Sequence, residues 1–197
     1  IGQWPEADAR YREALALAEQ LGDRPAQAQA QALIGELLRK QGQYAQALTW
    51  LEQAHASYTR LGERAGVAQA LHFLGSLDIQ QGSYDQAIEH YAASLAIRRE
   101  LGDQPMIASL LSNMSIVAFH QGDEPGAWAL CRESLEIRRA AGNRLWIANS
   151  LGNLGMLALE AERYDEAQAS MEEALGLERN VGDRAAIAIS LNNLGNV

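Results

Sequence analysis

Cysteine is nearly missing from this chain. Cys131 stands alone among 197 residues, so an intrachain disulfide and a cysteine-built zinc cage are both excluded. Cations are in the minority, 16 Lys and Arg against 25 Asp and Glu, for a net charge of −9. A protein that grips the nucleic-acid backbone must replace its condensed counterions with cationic side chains, so general nucleic-acid binding is not expected. No run of about 18 apolar residues occurs, which argues against a helical membrane span. No basic-then-apolar leader pattern is present either, and a cytoplasmic location is the expectation. Proline is scarce, with four residues, and strand-like alternation appears nowhere. What remains is a globular balance, 48% hydrophobic and 21% charged, which argues against disorder.

What is present is a repeat. Leu21-Gly22-Asp23 recurs as Leu61-Gly62-Glu63, Leu101-Gly102-Asp103, Ala141-Gly142-Asn143 and Val181-Gly182-Asp183, each step being 40 residues. Midway between these stands a second string, Gly42-Gln43-Tyr44, Gly82-Ser83-Tyr84, Gly122-Asp123-Glu124 and Glu162-Arg163-Tyr164, with Gly2-Gln3-Trp4 one period earlier. Compositional bias cannot produce a fixed spacing. The two strings cut each period into halves of about 18 residues with apolar positions at helical spacing. In the first half, Ala28, Gln31, Ile34, Gly35 and Leu38 recur as Ala68, Leu71, Leu74, Gly75 and Asp78, and as Ala148, Leu151, Leu154, Gly155 and Ala158. Ala, Leu, Gln, Glu and Arg abound, which favours helix throughout.

The strings read as stops and starts. Glycine after a helix takes the left-handed conformation at no Cβ cost. The Asp or Asn that follows can cap the next helix, and Pro25 and Pro105 fall in a first turn, where a missing N–H matters little. Ser83 with Gln86 spells a capping box. The spacing predicts ten helices, roughly 3–21, 24–41, 43–61, 64–81, 83–101, 104–121, 123–141, 144–161, 163–181 and 184 to the end. A helix pair of this kind cannot bury its apolar stripe alone, so successive pairs should stack. Glycine inside a helix costs ~1 kcal/mol against alanine. Its recurrence at Gly35, Gly75, Gly155 and Gly195, with Ser115 the variant, implies close helix approach, the gaps being filled by Leu51, Tyr91 and Met171.

These residues resemble the tetratricopeptide repeat. The pattern Leu71, Leu74-Gly75, Gly82-Ser83-Tyr84, Ala87, Tyr91, Ser94 and its counterpart Leu151, Leu154-Gly155, Tyr164, Ala167, Met171, Ala174 carry the likeness across essentially the whole chain. The 40-residue period departs from the family's usual length of about 34 residues. This long variant is similar to kinesin light chains, to the Leu-Gly-Asn spindle-orientation adaptors and to sensor regions of bacterial transcription activators and signalling ATPases, and the composition suggests a bacterial source. The resemblance implies an all-α fold: an α-α superhelix, a right-handed solenoid of about ten antiparallel helices. It would be one array over 1–197, with a partial repeat 1–22, repeats 23–62, 63–102, 103–142 and 143–182, and a partial repeat 183–197. The open pattern at both ends suggests a fragment of a longer protein whose raw ends could stack on another copy.

The resemblance also implies a scaffold whose first helices line a concave face that holds a protein or peptide ligand. Carried over to this chain, the contact residues are Asn113, Asn153, Asn193 and Asn196, then Asn149, Asn192, Gln69, His72 and His120, with Phe73, Ile116, Met156 and Phe119 as apolar pockets. Each Asn offers two donors and an acceptor, so it can bond both groups of a main chain. The competing interpretation is that some of these residues pack between neighbouring first helices. A chaperone-type carboxylate clamp would need basic and amide residues at Ala32, Glu36, Phe73, Ser109 and Asn113, and only the last fits.

Other chemistry is thin. His55, His72, His90 and His120 show no metal-type spacing with one another or with Cys131, so neither a metal nor a cofactor is expected. His55 and His90 read as surface residues, and Cys131 as a small core residue. Arg98-Arg99 and Arg138-Arg139 read as charges placed at negative helix ends. Gly152-Asn153-Leu154-Gly155 lies inside a helix with no preceding strand, which excludes a phosphate loop. No nucleophile and base converge, so the chain is not expected to be an enzyme. A peptide-binding adaptor and the sensing arm of a larger bacterial regulator or signalling ATPase both remain open.

Overall fold

The structure, a computed structural model, describes residues 4–195. Among them are ten α-helices and no strand: α1 Trp4–Leu21, α2 Arg24–Lys40, α3 Tyr44–Leu61, α4 Arg64–Gln81, α5 Tyr84–Leu101, α6 Gln104–His120, α7 Glu124–Ala141, α8 Arg144–Glu160, α9 Tyr164–Val181 and α10 Arg184–Leu194. The caps act largely as the sequence implies. Asp23, Asp103, Asn143 and Asp183 accept the N–H groups of Ala26, Met106, Trp146 and Ala186 at 3.0, 3.3, 3.2 and 3.1 Å. The Ser83–Gln86 box does not form: Ser83 occupies the cap position but its hydroxyl makes no cap bond. Its backbone N–H is already held by the Asp78 carbonyl at 2.9 Å, which takes away the donor that Gln86 would need. The turn before α5 has Gly82 at φ 75°, and the same turn before α9 places Glu162 at φ 56°.

The helices gather into two compact units, Ile1–Gly102 and Asp103–Val197. Within the first unit α1 packs on α2, α2 on α3, α3 on α4 and α4 on α5, and the first helices α2 and α4 also touch. Within the second, α6, α7, α8, α9 and α10 pack in the same consecutive way, with α6 touching α8. Leu15, Ile34, Leu38, Leu51, Leu74 and Leu77 form the main core of the first unit. Ala127, Trp128, Cys131, Leu157 and Ala167 form that of the second. No helix among the described residues is long and apolar enough to cross a membrane.

Three of the four interior glycines act as the sequence implies, whereas Gly195 follows the end of α10 and a Cβ there would meet only the carbonyls of Leu191 and Asn192. A Cβ on Gly75 would stand 2.8 Å from the Tyr91 ring, and one on Gly155 would stand 2.7 Å from the Met171 side chain. Gly35 faces Leu51 in the same way at 2.7 Å. In the variant repeat the glycine is replaced by Ser115, whose hydroxyl donates to the Ser112 carbonyl at 2.8 Å, and the large residue of the second helix by the smaller Cys131.

Arg98 and Arg138 stand in the last turns of α5 and α7, where the sequence places them, and are also buried. The Nη2 of Arg98 donates to the Ala65 carbonyl at 3.1 Å, and the Nη1 of Arg138 to the Trp146 carbonyl at 3.0 Å, so each ties its helix to the first turn of a neighbouring one. His90 is not a bland surface residue: its Nδ1 lies 2.6 Å from Oδ2 of Asp78, whose side chain is buried. Burying a carboxylate in an otherwise apolar row demands a partner, and His90 supplies it.

Candidate functional site

The rows that run along the first helices differ between the units. In the first unit, Glu36 and Ser76 occupy one row. Glu36 is gripped by Arg39 through two bonds of 2.7 and 2.8 Å, with Lys40 at 3.3 Å. Burial pushes its carboxyl up, but the bonds and charges of Arg39 and Lys40 outweigh that and hold it below the usual range. Ser76 lies 3.0 Å from the Tyr91 hydroxyl and donates to the His72 carbonyl at 3.0 Å. His72 stacks on Phe73 with centroids 5.9 Å apart and sits 5.8 Å from the Tyr91 ring. Burial pulls the His72 ring below its ordinary value. Phe73 packs against two core clusters of this unit, so here packing between helices takes up the aromatic ring. Gln69 is half-buried on α4.

In the second unit the same row is Ile116 and Met156, with 37% and 38% of their surfaces exposed. They line a groove of about 290 Å³ between α6 and α8. From α6 come Ser115, Ile116, Phe119 and His120, and from α8 come Asn153, Met156, Leu157 and Glu160. Ser115 and Leu157 are buried and form the floor. The Phe119 ring, half-buried against the core, meets the His120 ring edge-on at 6.3 Å. An apolar floor with an amide, an imidazole and a carboxylate at the rim suits one apolar side chain of an extended segment, with polar bonds to its main chain.

The groove therefore brings together Ile116, Phe119, His120, Asn153 and Met156, five of the residues singled out from sequence. Asn113, Asn149, Asn192 and Asn193 also belong to this unit but do not line the groove; Asn149 and Asn192 are exposed, Asn113 and Asn193 half-buried. Asn196 lies outside the described residues. Ser115 and Leu157 were missed as site residues. Ser115 had a visible signal, being the one break in the interior glycine row, whereas Leu157 looks like any core leucine. Burial pushes the Cys131 thiol up to about 11, so it stays protonated and unreactive. Among the described residues no group of three His, Cys, Asp or Glu could hold a metal ion.

The tetratricopeptide repeat family matches residues 1–60, 29–100, 66–140, 106–180 and 146–197, overlapping windows that span the chain. No curated protein matches the sequence. Among solved structures the chain is similar to BtubC (BKLC) from P. vanneervenii, at 20% identity over 99% of this chain and 83% of that one, with a TM-score of 0.84. It is also similar to a signal transduction ATPase with a tetratricopeptide repeat sensor from Pyrococcus horikoshii, at 14% identity over 91% of this chain and 28% of that one, TM-score 0.81. A Rap protein complexed with competence and sporulation factor is similar at 15% identity over 98% of this chain and 58% of that one, TM-score 0.72. The chain thus spans less than two thirds of the last two. At these identities the likeness is one of fold.

Proposed function

The chain belongs to the tetratricopeptide repeat family, and from that premise we propose that it is a non-catalytic scaffold for an extended segment of a partner protein, one apolar side chain of which sits between α6 and α8. The groove itself carries this proposal. Ile116 and Met156 leave large apolar surfaces in water, at positions whose counterparts in the first unit are Glu36 and Ser76. Covering such surface returns about 25 cal/mol per Å², so an apolar side chain there is favoured wherever it fits. Asn153 at the rim has the two donors and one acceptor that a main chain needs. Glu160 at the rim and the net charge of −9 favour a segment with a cationic residue beside the apolar one.

A second reading gives the same groove a sensing role. It draws on the Pyrococcus horikoshii ATPase, whose tetratricopeptide repeats form a sensor. The segment bound would then be an effector, and the output would come from another part of a longer protein.

The test starts from short peptides selected out of a random library on the 197-residue chain. Their affinities are then measured for the wild type, for Ile116→Glu/Met156→Glu and for Asn113→Ala/Asn153→Ala/Asn193→Ala. Placing two carboxylates in the groove should weaken binding at least about tenfold, the amide variant should bind more weakly too, and far-UV circular dichroism should be unchanged. Equal affinity for all three proteins would remove the groove from the function.

A further inference from the structure

A second cleft, of about 330 Å³, lies in the first unit and is lined by Arg24, Gln27, Ser57, Arg60 and Leu61. Two guanidinium groups share it and no carboxylate lines it, in a chain whose net charge is −9. The Arg24 side chain makes no hydrogen bond or ion pair with any described residue. Arg60 makes two long bonds, Nε to the Ala56 carbonyl at 3.3 Å and Nη2 to the Ser57 hydroxyl at 3.4 Å, which leaves N–H groups of its fork available.

The repeat supplies an internal control. Forty residues on, the counterparts of Arg24 and Arg60 are Arg64 and Glu100, and these two form an ion pair. There the arginine at the start of the first helix is neutralised by an acid in the last turn of the second. In the repeat before it, the acid is replaced by a second arginine, so two like charges face one cleft. Like charges brought together are unfavourable unless something neutralises them.

We propose that this cleft is a binding site for a phosphate monoester. Each arginine presents a planar pair of N–H groups matched to an oxyanion. A phosphate monoester carries close to two negative charges at neutral pH and three terminal oxygens. It can therefore answer both forks at once and cancel both charges, whereas a carboxylate brings one charge and two oxygens. The Ser57 hydroxyl beside the forks donates to Oε1 of Gln31 at 3.1 Å, so the two guanidinium groups supply the charged donors. The cleft, of about 330 Å³, exceeds the space of an oxyanion and leaves room for the carbon group that bears the phosphate.

The experiment follows the Nε–H signals of Arg24 and Arg60 by NMR in the 15N-labelled chain at constant ionic strength. The probes are inorganic phosphate, a short phosphoserine peptide, the same peptide without phosphate, and chloride as the control. Saturable shifts with phosphate and the phosphopeptide, absent with chloride and the plain peptide, are expected. Arg24→Gln and Arg60→Gln should each weaken binding about tenfold. Arg60→Glu, which copies the Arg64–Glu100 arrangement, should abolish it while leaving far-UV circular dichroism unchanged. A phosphopeptide that binds more tightly than inorganic phosphate identifies a partner's side chain as the source, and the reverse order identifies a small phosphorylated molecule. Shifts that do not saturate, or a titration unaltered in Arg60→Glu, would overturn the proposal.

Discussion

In the first unit the row of Glu36 and Ser76 is closed: Arg39 and Lys40 hold the carboxylate and Tyr91 meets the serine hydroxyl. In the second unit the same row, Ile116 and Met156, stands open above an apolar floor. Both units use one period, one set of turns and one way of letting helices approach. What packing needs therefore recurs every 40 residues, while the residues that packing does not need are free to differ, and the two rows show how far. Solenoid repeats separate stability from recognition in this way because each repeat leans only on its neighbours.

The largest expected effect concerns packing. Gly75→Ala pushes a methyl group into the Tyr91 ring, which has little freedom to move, and should destabilise the protein by about 2 kcal/mol after the gain in helix propensity is counted. Gly155→Ala places its methyl group 2.7 Å from Met171 Cγ and 3.3 Å from the Ala167 carbonyl oxygen; the unbranched methionine yields more readily than a ring, so the loss should be smaller, about 1 kcal/mol. Urea unfolding of the two variants measures the difference; equal losses would mean that the units do not pack as described. Next comes the groove: Ile116→Glu/Met156→Glu should leave the unfolding midpoint nearly unchanged while removing peptide binding. A large stability loss in that variant would show that the two side chains serve the core.

Smaller effects sharpen the comparison at the turns and in the titration. Glu162 holds a left-handed φ of 56° where the equivalent turn of the first unit has Gly82. Glu162→Gly should therefore stabilise the second unit by ~1 kcal/mol, and Gly82→Ala should destabilise the first by a similar amount. Thermal unfolding checks both signs. The smallest effect follows pH. Burial depresses the His72 ring below 6.5 in the folded chain, and burial with the nearby His90 does the same to His55. A ring that binds its proton less tightly when folded favours the unfolded chain once it is protonated. Stability is then complete above pH 6.5 and falls as pH drops through 6.5 toward the depressed folded values. His72→Gln should flatten that slope in urea unfolding; an unaltered slope would remove His72 from the effect.

Much of the fold was legible because helix stops are local. A Gly followed by Asp carries its meaning within two residues, and helix ends came out within about a residue of their places except at α10, which was expected to run to the end and stops at Leu194. Contacts across helices were less legible. Asp78 falls in a core row beside Leu38 and Ala158, a visible anomaly, yet nothing near His90 in sequence marks it as the partner. Arg98 and Arg138 are end-of-helix charges as read, but their burial was not legible because their acceptors, the carbonyls of Ala65 and Trp146, lie on neighbouring helices. Most of the site was legible for the same reason as the fold: Ile116, Phe119, His120, Asn153 and Met156 were placed on a first-helix face by their register. Phe73 has that register too, and only the surrounding core of its own unit takes its ring away.

The most direct measurement is methyl NMR of Ile116 δ1 and Met156 ε during titration with a library-selected peptide. Both methyl signals should shift and saturate together with the affinity measured for the whole chain. Tight binding that leaves both methyl groups unmoved would contradict the groove as the place where the partner is held.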